Sequence, residues 1–110
     1  MKSSRTSETN LTPKQRQFLK GLAHPLSPVV RVGKGGVSDA VVEETKKSLA
    51  AHELIKVRIE VDDGDARRAL AEKLADATDA HVAGAVGKIA ILYRERDEKP
   101  SIKLPKAEKS

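Results

Sequence analysis

The sequence of 110 residues predicts an α/β domain, a compact two-layer or sandwich-like unit with a small mixed sheet. Three observations carry the prediction. Stretches of helical and strand periodicity alternate along the chain in the order α-β-α-β-α-β-β. Leu54 to Val61 alternates strictly, with Ile55, Val57, Ile59 and Val61 on one face and Lys56, Arg58 and Glu60 on the other. Helices separated by strands in so short a chain pack as layers on a sheet and argue against a bundle.

Met1 to Asn10 is polar and charged, has nothing to bury, and is expected to be a disordered lead. Thr12-Pro13-Lys14-Gln15 forms a helix start, with Thr12 as N-cap, Pro13 at the first helical position and Gln15 placed for the reciprocal capping contact. This helix is expected to reach about Ala23 or His24. Phe18, Leu19 and Leu22 share its packing face, Arg16 and Lys20 point away, and Lys14 lies on the flank. Pro25 limits it, and Pro28 opens a short extended segment through Val32. Val37 or Ser38 starts a second helix reaching about Ala51, which packs through Val41, Val42, Thr45 and Leu49 and pairs Glu43 with Lys47 on its outer side.

Asp62-Asp63-Gly64 ends the following strand, and Asp65 is expected to cap a third helix extending to about Thr78, with Ala66, Ala69, Leu70, Leu74 and Ala77 buried. His81–Val86 and Ile89–Arg94 read as a hairpin around Gly87-Lys88. Ala90 and Leu92 face one way and Ile91 and Tyr93 the other, which allows a sheet covered on both sides. Residues 97–110 are charged, contain Pro100 and Pro105, and are expected to trail along the surface, with Ile102 and Leu104 offering a brief edge strand. The folded unit is thus expected over residues 11–96.

With 38% apolar residues, one Phe, one Tyr and no Trp, the core must be aliphatic. Phe18 is assigned to it, so no aromatic stacking platform is expected. Tyr93 is read as a sheet anchor before a stacking surface. The net charge of +5 is unevenly spread. Residues 1–60 hold eleven basic and six acidic side chains, and residues 61–110 hold ten of each. Lys14, Arg16, Lys20, Arg31 and Lys34 fall in an acid-free stretch, which favours an anionic partner on that side. Without cysteine there is no disulfide framework, thiol chemistry or cysteine-ligated zinc. Residues 1–10 lack the apolar run of a secretory signal, and no segment approaches the roughly 20 apolar residues of a membrane span. A soluble cytoplasmic protein with no membrane partner is expected.

Gly33-Lys34-Gly35-Gly36 follows the Val29–Val32 strand and precedes a helix. Four such residues could be only a flexible turn. They could also bring bare backbone amides and a mobile charge to an anion. The Walker spacing G-x-x-x-x-G-K-[ST] is absent, and so is G-x-G-x-x-G, which argues against ATP or NAD. Gly33 and Gly36 do have the G-x-x-G spacing with which K-homology domains admit a nucleic-acid backbone. Arg31 and the lysines of the first helix would widen the positive area, with Lys88 in the later turn as a further contact. His24, His52 and His81 show no metal-ligand spacing, and Asp62, Asp63 and Asp65 are better explained by turn and cap than by a calcium loop. Neither catalysis, a metal nor a cofactor is expected.

Several blocks then agree in order with one family. Leu11-Thr12-Pro13-Lys14-Gln15-Arg16, Ala23-His24, Pro28 through Gly36, His52-Glu53-Leu54-Ile55-Lys56-Val57, Val86-Gly87-Lys88 and Leu92-Tyr93-Arg94 resemble the bacterial YhbY family, whose domain is also called the CRM domain. The domain is found in chloroplast RNA-splicing factors and ribosome-maturation proteins. The resemblance covers about residues 11–94. It implies a compact RNA-binding α/β domain similar in outline to the C-terminal domain of a bacterial translation initiation factor. It maps an RNA-contacting turn onto Gly33, Lys34, Gly35 and Gly36, and a basic first helix onto Lys14, Arg16 and Lys20. It also implies a standalone bacterial form. Gly84 and the acidic run Asp62-Asp63-Gly64-Asp65 depart from the family's pattern and weaken the case for basic contacts beside them.

The expected function is therefore a non-enzymatic, monomeric factor that binds ribosomal RNA of the pre-large (50S) subunit during ribosome assembly, through phosphate and shape. The alternative is a protein-interaction module docking on a ribosomal protein, with the basic patch providing only steering.

Overall fold

Each helix begins where a side chain can take up its free amides. Thr12 Oγ1 accepts from Gln15 N at 3.1 Å and Gln15 Oε1 accepts from Thr12 N at 3.0 Å, a complete capping box ahead of α1 (Pro13–Ala23). Ser38 Oγ accepts from Val41 N ahead of α2 (Asp39–His52), so that helix starts a residue or two after the expected point. α3 (Gly64–Thr78) is capped by Asp63, whose Oδ2 accepts from Ala66 N at 2.8 Å. The expected cap, Asp65, lies in the first turn, because Asp63 has the extended backbone a cap requires and Gly64 is already helical. The computed structural model describes residues 11–105, and the expected lead over 1–10 lies outside them.

The strands are β1 (Pro28–Val32), β2 (Leu54–Ile59), β3 (His81–Val86) and β4 (Ile89–Tyr93), and they form one mixed sheet in the order β1-β2-β4-β3. β1 and β2 run parallel with α2 as their crossover, while β4 is antiparallel to both β2 and β3. Alternation sends the two faces of each strand into two separate cores. Val30, Val32, Ile55, Val57, Ile59, Ala90 and Leu92 meet Leu49 of α2 and Leu74 of α3. Leu54, Ala83, Ile91 and Tyr93 meet Leu19 and Ala23 of α1 on the opposite face. The result is a sandwich of α1, sheet, and α2 with α3. Its cores are aliphatic apart from Tyr93, the sheet anchor, which is 3% exposed.

Two helices are rotated from their expected phase. On α1 the buried residues are Leu19 and Ala23, joined by Leu11 just ahead of the helix, while Phe18 and Leu22, expected in the core, are 38% and 41% exposed. Leu19 and Ala23 are one turn apart and point at the sheet, which turns Phe18 and Leu22 onto a flank by about 100° per residue. On α3, Ala71, Leu74, Ala75 and Thr78 are buried and Ala69 and Ala77 are exposed. An alanine-rich helix offers two nearly equivalent apolar stripes, and the stripe that includes both Leu74 and Thr78 meets the sheet. Val61, expected as the last inward residue of β2, follows the strand and is only partly buried.

Residues 97–105, expected to trail with a short edge strand, form no strand. They are fastened to the end of α2 by Glu53, which is fully buried and has φ 65°. Its carboxylate accepts from Arg96 N at 2.8 Å, Ser101 N at 2.8 Å, Ile102 N at 2.9 Å and Ser101 Oγ at 3.0 Å. Burial pushes the Glu53 carboxyl up, but these four donors together outweigh it and hold the group below its ordinary value. Ile102 and Leu104 then pack beside Leu11 in the α1 core, and Gln15 Nε2 donates to Pro105 O at 2.9 Å.

Candidate functional site

The Gly33–Gly36 segment is a closed turn, with Gly36 N donating to Gly33 O at 3.0 Å. It projects from the end of β1, directly after the buried Val32. Only Gly36 has a positive φ, 81°, so the fold itself requires glycine at that position. Gly33 and Gly35 have no such requirement, and a Cβ at either would meet nothing within 4 Å. Their effect is to leave backbone uncovered on both sides of the exposed Lys34. The start of α2 lies two residues farther on, but Ser38 takes up one of its donors and Asp39 adds a carboxylate there. The open donor group is therefore the turn and not the helix end.

Arg31 sits two residues before the turn, on the sheet face that carries α1, and stands opposite Arg58 of β2. Two guanidinium groups facing each other would repel. Glu60 Oε2 lies 2.9 Å from Arg58 Nε and 3.5 Å from Arg31 Nε and holds both. Arg31 keeps 73% of its side chain exposed, so it is available to a further anion. Lys56 lies next to Arg58 on this face and donates from Nζ to His24 O at 3.2 Å.

The remaining expected contacts are less evenly placed. Lys88 is at the same end of the sheet as the glycine turn, since its carbonyl accepts from Ile59 N, but its Nζ lies 2.9 Å from Asp62 Oδ1. The Lys88 hydrogen bond and charge hold the Asp62 carboxyl below its ordinary range. Lys20 lays its stem across Gly84 of β3, where an added Cβ would come within 2.9 Å of Lys20 Cδ. That puts it over the sheet edge farthest from β1. Arg16 donates from Nη1 to Leu11 O at 2.7 Å and so tethers the segment leading into α1, while Lys14 is exposed near the helix start. The structure thus groups Gly33 to Gly36 with Arg31 and Lys88 and leaves Lys14, Arg16 and Lys20 on α1.

Lys56, Arg58 and Glu60 were not singled out as site residues, although strand alternation already put them on the polar face of β2. Phe18 is exposed although its place beside Leu19 and one turn before Leu22 reads as core. Tyr93 is unsuited to stacking. Its burial, with the Glu95 and Glu53 carboxylates adding to it, pushes the phenol up to about 12.

Residues 11–94 match the family model of the CRS1/YhbY (CRM) domain. A protein of Haemophilus influenzae named "RNA-binding protein" is 40% identical over 98 residues, which cover 89% of this chain and 98% of that protein. The YqeI protein of Bacillus subtilis is 37% identical over 95 residues, covering 86% and 99%. The solution structure of a Staphylococcus aureus protein matches with a TM-score of 0.78 at 36% identity, covering 86% of this chain and 99% of that one.

Proposed function

This chain belongs to the CRS1/YhbY (CRM) domain family, and from that premise we propose that it is an RNA-binding factor whose central contact is the Gly33–Gly36 turn. The observation that carries the reading is the pairing of bare backbone at Gly33 and Gly35 with the exposed cations Lys34 and Arg31. Such a surface admits a phosphate backbone closely and attracts it. It offers no set of side chains arranged to read base edges. The name of the Haemophilus influenzae relative supports RNA as the anion.

Within that reading the RNA is ribosomal RNA of the large-subunit precursor, the partner the family resemblance implies. The factor acts as a cytoplasmic monomer that holds a structured RNA region through its phosphates during assembly. Electrophoretic mobility shifts with purified large- and small-subunit ribosomal RNA fragments test this, with Lys34→Gln and Arg31→Gln alongside. Preferential retention of large-subunit fragments, lost in the double variant, is expected. Equal retention of both RNAs would reject the large-subunit assignment, and undiminished binding by the double variant would reject the turn.

A further inference from the structure

We propose that the half of the sheet left bare beside α1 is a second RNA contact, one that seats unstacked bases of a single-stranded segment leading from the Gly33–Gly36 turn. The inference rests on the RNA-binding reading above and adds a base-accepting surface to a phosphate-accepting one.

α1 lies over β3, β4 and part of β2, and Lys20 reaches across Gly84 at the β3 edge. Side chains two positions apart on a helix point about 200° apart. Phe18 and Leu22, each two positions from Lys20, therefore occupy the flank turned toward β2 and β1. On the strands, Val30, Val32, Val57 and Ile59 point into the α2 and α3 core, so Arg31, Lys56 and Arg58 share the α1 face, and Val29 stands beside Arg31 and Arg58 at the irregular start of β1. Leu26 is 40% exposed and Val29 44% exposed at this border. An aromatic and aliphatic wall thus stands beside a cationic floor.

A hollow of about 260 Å³ at β1, lined by Val29, Arg31 and Arg58 among others, gives that floor a concave edge. Four cations border the surface: Arg31, Lys34, Lys56 and Arg58. Against them stand Glu60, already shared by two arginines, and Glu44 across the strand edge. An occupant must combine flat apolar faces with closely repeated negative charge. An unpaired RNA strand has both, whereas a duplex keeps its base faces stacked inside. Continuity favours the same ligand, since Arg31 is two residues from Gly33 on one strand.

Fluorescence anisotropy with a short unpaired RNA oligonucleotide and a hairpin of equal length tests the proposal. 2-Aminopurine in the unpaired strand reports stacking. Phe18→Leu keeps an apolar side chain but removes the ring, and Arg58→Gln removes charge from the floor. Each is expected to weaken the unpaired strand about tenfold, with hairpin binding unchanged and the 2-aminopurine quench lost in Phe18→Leu. Unchanged affinity in both variants, at wild-type melting temperature, overturns the proposal, and so does equal weakening of both RNAs. A homodimer or a ribosomal-protein complex abolished by Phe18→Leu while RNA binding persists would assign the strip to protein and also overturn it. If Lys34→Gln weakens RNA binding and these two variants do not, only this inference falls. If the wild type binds neither RNA, the RNA-binding reading falls with it.

Discussion

At φ 81°, Gly36 holds a conformation that costs an L-residue about 1–2 kcal/mol, whereas Gly33 and Gly35 do not. Glycines within four positions thus meet different backbone demands, and stability measurements can separate them. Gly36→Ala is expected to lower the urea unfolding free energy by about 1 kcal/mol. Gly33→Ala and Gly35→Ala have open space for the methyl group and should leave stability within about 0.5 kcal/mol, or raise it slightly by restricting the unfolded chain. The same two variants should bind RNA less tightly, because the methyl group would occupy the space through which a phosphate backbone approaches. Wild-type RNA affinity in both would show that bare backbone there has no part in binding.

The elements show what local chemistry can and cannot specify. The Thr12 and Gln15 capping box, the alternation in β2 and the Gly87-Lys88 turn act over a few residues, and each element they define is present. The phase of α1 was not legible. Phe18, Leu19 and Leu22 offer the helix overlapping apolar faces, and the choice depends on how the helix crosses the sheet. Leu19→Ala is accordingly expected to cost about 2–5 kcal/mol in chemical denaturation, against well under half of that for Phe18→Ala. Comparable losses would mean that Phe18 is part of the core after all. For the glycine turn, the local motif was readable in sequence. Its neighbours Lys56, Arg58 and Glu60 required the parallel register that sets Arg31 opposite Arg58.

The Glu53 clasp was equally hidden, because Ser101 lies 48 residues away and nothing near Glu53 announces it. A carboxylate can accept all four donors, whereas Gln would turn an NH₂ toward backbone N–H groups on one side. Glu53→Gln should destabilise the fold by about 1–3 kcal/mol. The folded-state carboxyl lies below its ordinary value of 4.5, so its contribution is present above that pH and is lost as pH falls through the folded value. Urea midpoints measured down the acid range should show that loss in the wild type and a flatter profile in Glu53→Gln. Parallel profiles would remove Glu53 as its source.

At the scale of the whole molecule, the uneven charge of the sequence is not one uniform basic face. Arg31 and Lys34 stand at the glycine-turn end of the sheet, Lys88 is at that end but paired with Asp62, and Lys20 lies over the far β3 edge. Long-range attraction draws on all of them, since each contributes to the field around the chain. Counterion release draws only on those that neutralise a phosphate in the complex. The logarithmic dependence of RNA affinity on salt should therefore lose roughly one unit of slope for Lys34→Gln and again for Arg31→Gln, and almost none for Lys20→Gln. All three variants should slow association at low salt, because steering depends on total charge. Titrations at several salt concentrations, paired with stopped-flow association rates, measure both quantities on the same proteins. A slope that falls as much for Lys20→Gln as for Lys34→Gln would place phosphates along α1 and over β3, and the binding face would then extend across the sheet beyond the β1 end.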